Sequence, residues 1–582
     1  MTITFSAANE GGYQALTIAP DSPLAKCIRF HGQAMARLEK KRPILQDLQD
    51  FWAPYTADVS GKGRDKPDFV SPDILDDSIF FCKNTLESGL FSGITNPTRI
   101  WSEAVVTDPM LKESEAVKDA LHELNRRRQT IHSGSNFYDT MRWVYGEWPT
   151  FGTAVVLIEE DERDVFRYVP WGIGSYGLMD NARGEAVGLA RTFPMTVRQL
   201  VERFATRPDR TVNMGRLSLR TRQLVEGNEL EREVSVCQLI APNDRYRPSS
   251  DVPRDFAYGS WFWEDGINPT ENQHGGLLAE EGYREWPAMV FRWGRVNNDP
   301  FGTNQPGLLT LGTNKTLQAM ESDLLLAIEK QGKPPLAVPE DRAVSLLPGA
   351  RNVFTGQSRM MPGPLHTVES AAIERIGAAM DVRRTRMEMI WHTQIMLAFS
   401  LDNRPQPKTA TEVVEIGQEK FLALGPLLES ATRELRRGFD REFGIMERRG
   451  LLPDFPPEME GMSLPLEFTN TLAIALKAVG LVDLEGFGAW SAEFAQMTGD
   501  PSVLDKVDTD QLIDEVAARR SLPPRVVRGD EATAKIRKGR AEQAQAQAQA
   551  DQAAQQAKAI KDVGTTPMGN GSVLDAMVEG GA

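Results

Sequence analysis

The chain has 582 residues, of which 41% are hydrophobic and 25% charged, with a formal net charge of −15. That length exceeds what one hydrophobic core supports, so we expect roughly two to four structural units. No apolar run reaches the roughly 18 residues of a membrane-spanning helix, and residues 1–19 lack the basic and then apolar pattern of a signal peptide. We therefore expect synthesis in the cytoplasm and no membrane partner.

The cysteines and histidines do not suggest a redox or metal site. Cys27, Cys82 and Cys237 lie far apart and form no C-x-x-C pair, which disfavours a disulfide framework and a thiolate zinc site. The six histidines form no H-E-x-x-H or comparable ligand pair. We expect ordinary core or surface residues, with no metal and no cofactor.

The acidic balance bears on nucleic-acid binding. A protein that holds nucleic acid firmly usually presents a basic face, because phosphate neutralisation dominates the affinity. With a net charge of −15, the chain is not expected to grip DNA at a fixed place. A channel through which DNA slides stays open as an alternative, since strong attraction would impede movement there.

The first part of the chain predicts four helices. Apolar residues recur at helical spacing over residues 23–48, with Asp21 or Ser22 as the cap. A polar, glycine-containing loop follows at 60–67. The other three helices are predicted over 71–91, 113–131 and 136–145.

The middle third predicts an α+β region. Residues 153–158 form a short apolar, β-branched run that indicates a buried strand, with 165–169 and 186–192 as its partners. Thr196 is the predicted cap of a short helix. Further strands are predicted over 234–241, 256–263 and 288–296.

Longer helices follow this region. Residues 315–330 are amphipathic, 332–364 carry too many prolines and glycines for a regular helix, and 368–397 resume a helical pattern. A loop at 400–408 ends that pattern, because Pro405 and Pro407 cannot continue it.

A long helix is predicted after this loop. Thr409 and Glu412 form a capping box, and the apolar period continues over 413–445. Gly425 and Pro426 lie inside it, so we expect a kinked helix of roughly ten turns, well above the usual length of about three.

The C-terminal part predicts short helices over 472–479 and 510–519. A basic patch then precedes an Ala/Gln tract at 541–559; its cations are Lys535, Arg537, Lys538 and Arg540. Alanine and glutamine favour helix, but no apolar stripe offers a packing face. We expect a flexible, low-complexity tail over 530–582, either frayed helix or disordered.

Two motifs invite an enzyme reading. Residues 172–177 match G-x-G-x-x-G, but turn signals and not a helix follow, so we expect a turn. The strand end at 155–161 is acidic like a magnesium-binding strand of nucleotide-driven motors, but no G-x-x-x-x-G-K-[ST] string is present. A solvated acidic hairpin is the preferred interpretation, and the absence of G-x-S-x-G leaves no catalytic motif.

Three segments carry a family resemblance. Residues 84–97 read NTLESGLFSGITNP, residues 151–154 read FGTA ahead of LIEE, and residues 196–200 read TVRQL. In this order they resemble the head-to-tail connecting (portal) proteins of short-tailed podoviruses. With the element order that follows, the similarity extends over about 20–520.

The resemblance implies a mostly helical α+β subunit with wing, stem, clip and crown. The implied parts are a wing (1–310), two stem helices (315–332 and 366–398), a clip (333–365), a tunnel loop (399–409), a long kinked wing helix (410–450), a crown (451–529) and the tail. The implied DNA-channel residues are Ser400, Asn403, Arg404, Pro405, Gln406 and Lys408.

The implied function is structural and not enzymatic. Family members form rings of about twelve subunits around a closed symmetry axis at one capsid vertex, the head–tail junction of the virion. Double-stranded DNA passes through without sequence specificity, driven by a separate terminase ATPase. The implied partners are the terminase large subunit, head–tail adaptor or tail proteins, and the major capsid and scaffold proteins. Synthesis would take place in the host cytoplasm.

Some alternatives stay open. An enzyme of the packaging machinery, such as a terminase-like ATPase or a nuclease, is disfavoured by the missing phosphate-binding loop. A tail or adaptor ring protein seldom has this size or this order of helices. The Ala/Gln tract lacks the heptad leucines of a coiled barrel, so a barrel and a disordered tail are both possible outcomes.

Overall fold

The structure is a computed structural model, and its described residues divide into two compact units, 1–107 with 119–479 and 108–118 with 480–582. The described residues are 22–55, 58–59, 74–98, 100–108, 111, 114–207, 209, 211–267, 272, 275–296, 299–337, 345, 363–400, 424–459, 461–462, 464–470, 481–498, 507–519 and 530–564.

The first two helices open the first unit. Helix α1 (Pro23–Trp52) confirms the predicted helix, and the Ser22 hydroxyl caps it by accepting from the Ala25 N–H at 3.1 Å. Helix α2 spans Ser78–Ile94, so the predicted start at 71 was too early. The carboxylate of Asp76 accepts from the Ser78 N–H at 2.9 Å, which satisfies a first-turn donor and sets the start there.

Two further helices follow strand β1 (Ser102–Ala104). Helices α3 (Glu115–Gly134) and α4 (Phe137–Phe151) confirm the predicted pair, although α4 extends six residues beyond the predicted end at 145. Gly152 ends α4 with a φ of +82°, and a Cβ there would lie 2.7 Å from the Gln305 side chain. Only glycine fits this position without strain.

The described residues of the middle region form eight strands and two short α-helices, besides a few single helical turns of other types. They are β2 (Thr153–Asp161), β3 (Val165–Trp171), β4 (Tyr176–Asp180), β5 (Ala186–Thr196), α5 (Val197–Leu200), α6 (Leu219–Glu226), β6 (Glu233–Pro242), β7 (Tyr258–Glu264), β8 (Ala279–Tyr283) and β9 (Ala288–Arg292). The predicted capping box is present, since Thr196 and Gln199 exchange backbone and side-chain hydrogen bonds.

These strands form two antiparallel sheets, ordered β3-β2-β9 and β4-β5-β6-β7-β8. In the first sheet Val155 lies between Trp171 and Val290. The predicted pairing of 186–192 with β2 was wrong, because that segment is β5 and pairs with β4 and β6. The second neighbour of β2 is β9, which comes from far along the chain.

Arg292 joins the two sheets. Its guanidinium, at the end of β9, donates to both carboxylate oxygens of Asp180 on β4, at 3.0 and 2.7 Å. Both side chains are buried, 7% and 10% exposed, and Arg295 also pairs with Asp180 at 2.8 Å. A bidentate pair of this kind fixes orientation as well as distance.

The remaining elements complete both units. They are α7 (Pro306–Gly332), β10 (Leu336–Ala337), β11 (Gly363–Pro364), α8 (Ser370–Ile390), α9 (Thr393–Ser400), α10 (Gly425–Arg448), β12 (Leu466–Phe468), α11 (Leu481–Thr498), α12 (Thr509–Arg519) and α13 (Asp530–Gly564). The described part of 530–582 is helix, Asp530–Gly564, which is the helical one of the two alternatives expected for the tail. The flexibility of the tail stays a prediction.

Two of the longer helices differ from the predictions. The pattern over 368–397 is two helices, α8 and α9, separated at Trp391 and His392. The described part of the long helix, α10, begins at Gly425 with Pro426 in its first turn, where proline costs little. A kink there stays a prediction, because 401–423 lie outside the described residues.

Helix α10 is held to both sheets by charged side chains. Arg441 and Arg448 donate to the Glu285 carboxylate at 2.5 and 2.7 Å, between β8 and β9. Arg449 donates to Glu160 of β2 at 3.1 Å. On the buried side of α10, Glu442 accepts from the Tyr168 hydroxyl at 2.8 Å. The helix therefore closes the core of the first unit.

We predict that Arg292→Ala lowers the free energy of unfolding by roughly 3 kcal/mol, because it leaves the buried Asp180 carboxylate with one cation fewer. Urea unfolding followed by circular dichroism measures this change. The matched control is Arg198→Ala, which removes the exposed pair with Glu231 and should cost less than about 1 kcal/mol. Equal losses in both variants would contradict the role of Arg292.

Glu147 of α4 gives a pH-dependent prediction. Burial raises its pKa from 4.5 to about 7, although Lys83 acts in the opposite sense. The folded protein therefore binds more protons than the unfolded chain between these values, and stability falls as pH rises through this window.

Glu147→Gln should remove this fall, so its stability relative to the unchanged protein increases from about pH 5 to about pH 8. Thermal unfolding across this range measures the trend. Glu329→Gln, on the exposed end of α7, is the control and should show no comparable trend. If the stability of Glu147→Gln followed the same pH profile as that of the unchanged protein, Glu147 would not be the group responsible for the fall.

Candidate functional site: helices α7 to α9

Helices α7 and α8 form an antiparallel pair. Thr310 of α7 contacts Trp391 just after α8, Glu321 contacts Arg384, and Gln331 contacts Ser370. The contacts thus run in opposite directions along the two helices. Strands β10 and β11 join the far ends, with Leu336 opposite Pro364.

The start of α7 is fixed inside the first unit by a buried amide network. The Gln318 side-chain oxygen accepts from the N–H groups of Leu75 and Asp76 at 2.7 and 2.8 Å. Its amide nitrogen donates to the Asp76 carbonyl and to Asn314, at 3.1 and 3.0 Å. Asn314 in turn donates to the Phe51 carbonyl of α1 at 2.8 Å. This network satisfies both side chains and fixes the direction in which α7 leaves the core.

Arg384 of α8 contacts both α7 and the segment around Asp76 that Gln318 also binds. It donates to the buried Asp76 at 3.1 Å and lies 3.5 Å from Glu321 of α7. Asp381, one turn earlier on α8, is its third carboxylate at 3.1 Å. One guanidinium thus bridges α8, α7 and the segment before α2.

The break between α8 and α9 is buried. The Trp391 indole donates to the Thr310 hydroxyl at 3.0 Å and packs on the Trp52 ring with 4.4 Å between centroids. Both indoles are fully buried. His392 follows with a φ of +53°, a left-handed backbone that a non-glycine residue adopts at some cost. The packed indole holds the chain in this turn.

Helix α9 continues from the break towards the predicted DNA-channel loop. Met396 fits against Gly89 of α2 so closely that a Cβ on Gly89 would lie 2.4 Å from its sulfur. Ser400, predicted in the loop, is the last residue of α9. Asn403, Arg404, Pro405, Gln406 and Lys408, with the predicted caps Thr409 and Glu412, lie outside the described residues.

The helix pair exposes apolar side chains at several places along its length. On α7, Leu325 is 50% exposed and Ile328 48%. On α8, Val382 and Met389 are also more than half exposed. A single copy of the chain therefore leaves an apolar surface in water, and such surfaces usually mark an interaction site.

The motifs that suggested chemistry have structural roles. At 172–177 the chain turns between Gly172 and Ser175 and enters β4, as predicted. Gly177 is needed because a Cβ there would lie 2.4 Å from the Ala34 backbone of α1. The acidic strand end at 155–161 leads into a hairpin in which the Asp161 carboxylate accepts from two backbone N–H groups, at 2.8 and 2.9 Å.

The cysteines are not reactive groups. Burial raises the pKa of Cys27 and Cys237 to about 12 and that of Cys82 to about 11, so all three stay protonated thiols. Within the described ranges, no group of three or more His, Cys, Asp or Glu side chains is placed to hold a metal ion. No described helix is long and apolar enough to cross a membrane.

Sequence reasoning missed the residues that orient the helix pair. No glycine or proline marks the break at Trp391 and His392, because the turn there is imposed by packing. The partners of Arg384 and Gln318 come from distant parts of the chain. The spacing of apolar residues predicted a helix at α7, but it could not show which end of that helix is buried in the first unit and which end is exposed.

The fold and this site define a class of protein: a mostly helical α+β chain with an antiparallel helix pair whose apolar side chains are partly exposed. A family model for the bacteriophage head to tail connecting protein matches residues 25–527. The chain therefore belongs to this family, and the predicted resemblance is confirmed.

Curated relatives agree with the family. The chain is 31% identical over 546 residues to the portal protein of Salmonella phage epsilon15, covering 91% of this chain and 95% of the relative. It is 29% identical over 525 residues to a probable portal protein of Bordetella phage BPP-1, covering 89% and 91%. The chain is thus a portal-type protein of the connection between phage head and tail.

Among the solved structures that resemble this chain are two of gene transfer agent particles, both at low similarity. One is the virion of a native gene transfer agent particle, at 10% identity and a TM-score of 0.36, covering 78% of this chain and 93% of that one. The other is the neck of an empty gene transfer agent particle, at 9% identity and 0.36, covering 73% and 90%.

We predict that Trp391→Ala destabilises the first unit by roughly 3–5 kcal/mol, because it leaves a cavity against Trp52. Trp391→Phe keeps the aromatic packing but loses the hydrogen bond to Thr310, and should cost only about 1–2 kcal/mol. Urea unfolding measures both, and hydrogen exchange in α8 and α9 locates the effect. If Trp391→Ala and Trp391→Phe lost the same free energy of unfolding, the aromatic packing of Trp391 on Trp52 would not be what stabilises the first unit.

Proposed function

We propose that the chain assembles with identical copies into a ring at one capsid vertex, and that double-stranded DNA passes through this ring during packaging and ejection. The observation that supports the ring is the exposed apolar surface on α7 and α8. Family membership supports the place, the junction of head and tail in the virion.

The size of the exposed surface favours a stable contact. Leu325, Leu326, Ile328, Val382 and Met389 are each about half exposed or more. Fully burying one such side chain is worth roughly 1.5–3 kcal/mol, so even partial burial of five of them on each subunit favours assembly. In a closed ring every subunit gains this burial from its neighbours, whereas a lone copy cannot cover the surface itself.

The charges of the helix pair suit a channel that does not hold DNA. Over α7 and α8 together six cations face six anions: Lys315, Lys330, Arg375, Arg383, Arg384 and Arg386 against Glu321, Asp323, Glu329, Glu374, Asp381 and Glu388. DNA phosphates are bound tightly where cations accumulate, so a balanced surface gives weak attraction and allows sliding. The predicted loop adds Arg404 and Lys408 for transient contacts.

The partners follow from this place in the virion. We infer contacts with the terminase large subunit and with adaptor or tail proteins through the clip at 333–365, and with major capsid and scaffold proteins around the wing at 1–310. The crown at 451–529 and the kinked helix at 410–450 keep their predicted assignments. Intrinsic nucleotide hydrolysis is not part of this proposal, because the sequence contains no phosphate-binding loop.

We predict that Leu325→Glu combined with Ile328→Glu prevents ring formation without unfolding the subunit, because charged side chains cannot be buried between copies without a partner. Mass photometry and electron microscopy measure assembly, and circular dichroism checks the fold. The control is Leu219→Glu on α6, which replaces an exposed leucine elsewhere in the subunit. Rings formed equally by the double variant would refute this interface.

The loop residues have their own test. Arg404→Gln with Lys408→Gln should leave ring formation unchanged and alter the rate of DNA translocation in a packaging reaction with purified terminase, because phosphate contacts are removed. Lys26→Gln, which removes an exposed cation on α1, is the control. If the double variant translocated DNA at the unchanged rate at every salt concentration, Arg404 and Lys408 would not contact the DNA.

A further inference from the structure

The second unit carries an exposed aromatic stripe along α11. Phe487, Trp490 and Phe494 stack in sequence, with 6.2 and 5.3 Å between successive ring centroids. Trp490 is 57% exposed, and Met497, two turns further along the helix, is 77% exposed. Their spacing places them on one side of the helix. Aromatic side chains this exposed usually pack against a partner.

The surroundings of the aromatic stripe are acidic. Helix α11 contains Asp483, Glu485 and Glu493 and no lysine or arginine. Glu493 is exposed and lies three residues from Trp490, on the same side of the helix. Helix α12 and the residue before it, in the same unit, add four carboxylates: Asp508, Asp510, Asp514 and Glu515. A partner for this surface must therefore offer cations together with some apolar area.

The start of α13 has this chemistry. Lys535, Arg537, Lys538 and Arg540 lie within six residues and surround the partly exposed Ile536. From 534 to 556 every described side chain of α13 is exposed. Arg537 already pairs with Asp510 of α12, at 2.5 and 2.6 Å, so this segment accepts carboxylates from the acidic helices. We call 535–540 the basic segment.

We propose that the aromatic stripe of one copy receives the basic segment of a second copy of this chain. Within one copy the basic segment is held beside Asp510, and the aromatic stripe stays exposed. A second copy can supply both the missing cover for the rings and cations for Glu493. Lysine and arginine also bind favourably over the faces of tryptophan and phenylalanine.

This contact is heterologous, because two different surfaces of the same chain meet. Each copy offers one aromatic stripe and one basic segment, so a ring can satisfy all of them in one direction around the axis. The inference therefore rests on the proposed ring. It adds a second contact between neighbours, separate from the apolar surface of α7 and α8.

The test uses cysteine cross-linking between two tagged, full-length chains that are co-expressed. One carries Phe487→Cys and the other Lys538→Cys, and a short bismaleimide joins them. Cys27, Cys82 and Cys237 are buried, so the reagent selects the new thiols. The control is Gln549→Cys, an exposed position of α13 about 16 Å further along the helix at a rise of 1.5 Å per residue.

We expect cross-linked dimers of differently tagged chains, several-fold more abundant for Lys538→Cys than for Gln549→Cys. Adding Lys535→Glu to the chain that carries Lys538→Cys should lower the yield several-fold. Glu493→Lys in the chain that carries Phe487→Cys should restore it, which a merely structural role of Lys535 would not produce.

Three outcomes overturn the inference. Equal yields at both positions, or cross-links only within one chain when both cysteines are on the same copy, would show that the aromatic stripe does not receive the basic segment of a neighbour. Rings seen by mass photometry without cross-links would also refute this contact while leaving the proposed function intact. If no rings form with the unchanged chain, the proposed function fails first.

Discussion

The buried packing of Trp391 on Trp52 constrains the whole first unit. A helix that ends inside a core must satisfy its last carbonyls and fill the space beyond them. The indole does the second and, through its hydrogen bond to Thr310, ties the end of α8 to the start of α7. The turn at His392 is held by this contact, and the direction of α9 follows from it. The direction in which the described chain reaches Ser400 therefore depends on this aromatic pair.

The helix pair α7–α8 reverses the usual distribution of polar and apolar groups. Its inner end is held by polar side chains, the amide of Gln318 and the guanidinium of Arg384, each satisfied by several partners. Its outer end exposes Leu325, Leu326 and Ile328 of α7. Polar groups with fixed partners specify direction, whereas apolar side chains in water specify only that something must cover them. This division fits a subunit whose core is complete but whose assembly is not.

Much of the secondary structure could be predicted from local sequence patterns. The pairing of strands that lie far apart along the chain could not. The periodicity of α1 with its Ser22 cap and the Thr196 capping box are short-range signals, and both were confirmed. The pairing of β5 was wrong because the second neighbour of β2 is β9, which lies far along the chain. The break at Trp391 carries no glycine or proline and arises from packing alone. For the candidate site, the family was recognised from short motifs, while the loop with Arg404 and Lys408 stays a prediction.

The attachment of the helix pair also has a mechanical meaning. Trp391, Arg384 and Gln318 hold its inner end, and the short β10–β11 pair closes its outer end. A sideways load on the outer end therefore acts through a lever arm whose fulcrum is the indole pair. Dispersion contacts and hydrogen bonds yield over short distances and re-form when the load is removed. The contacts that resist such a load are therefore those at the inner end: the packed indoles, the Arg384 guanidinium and the Gln318 amide.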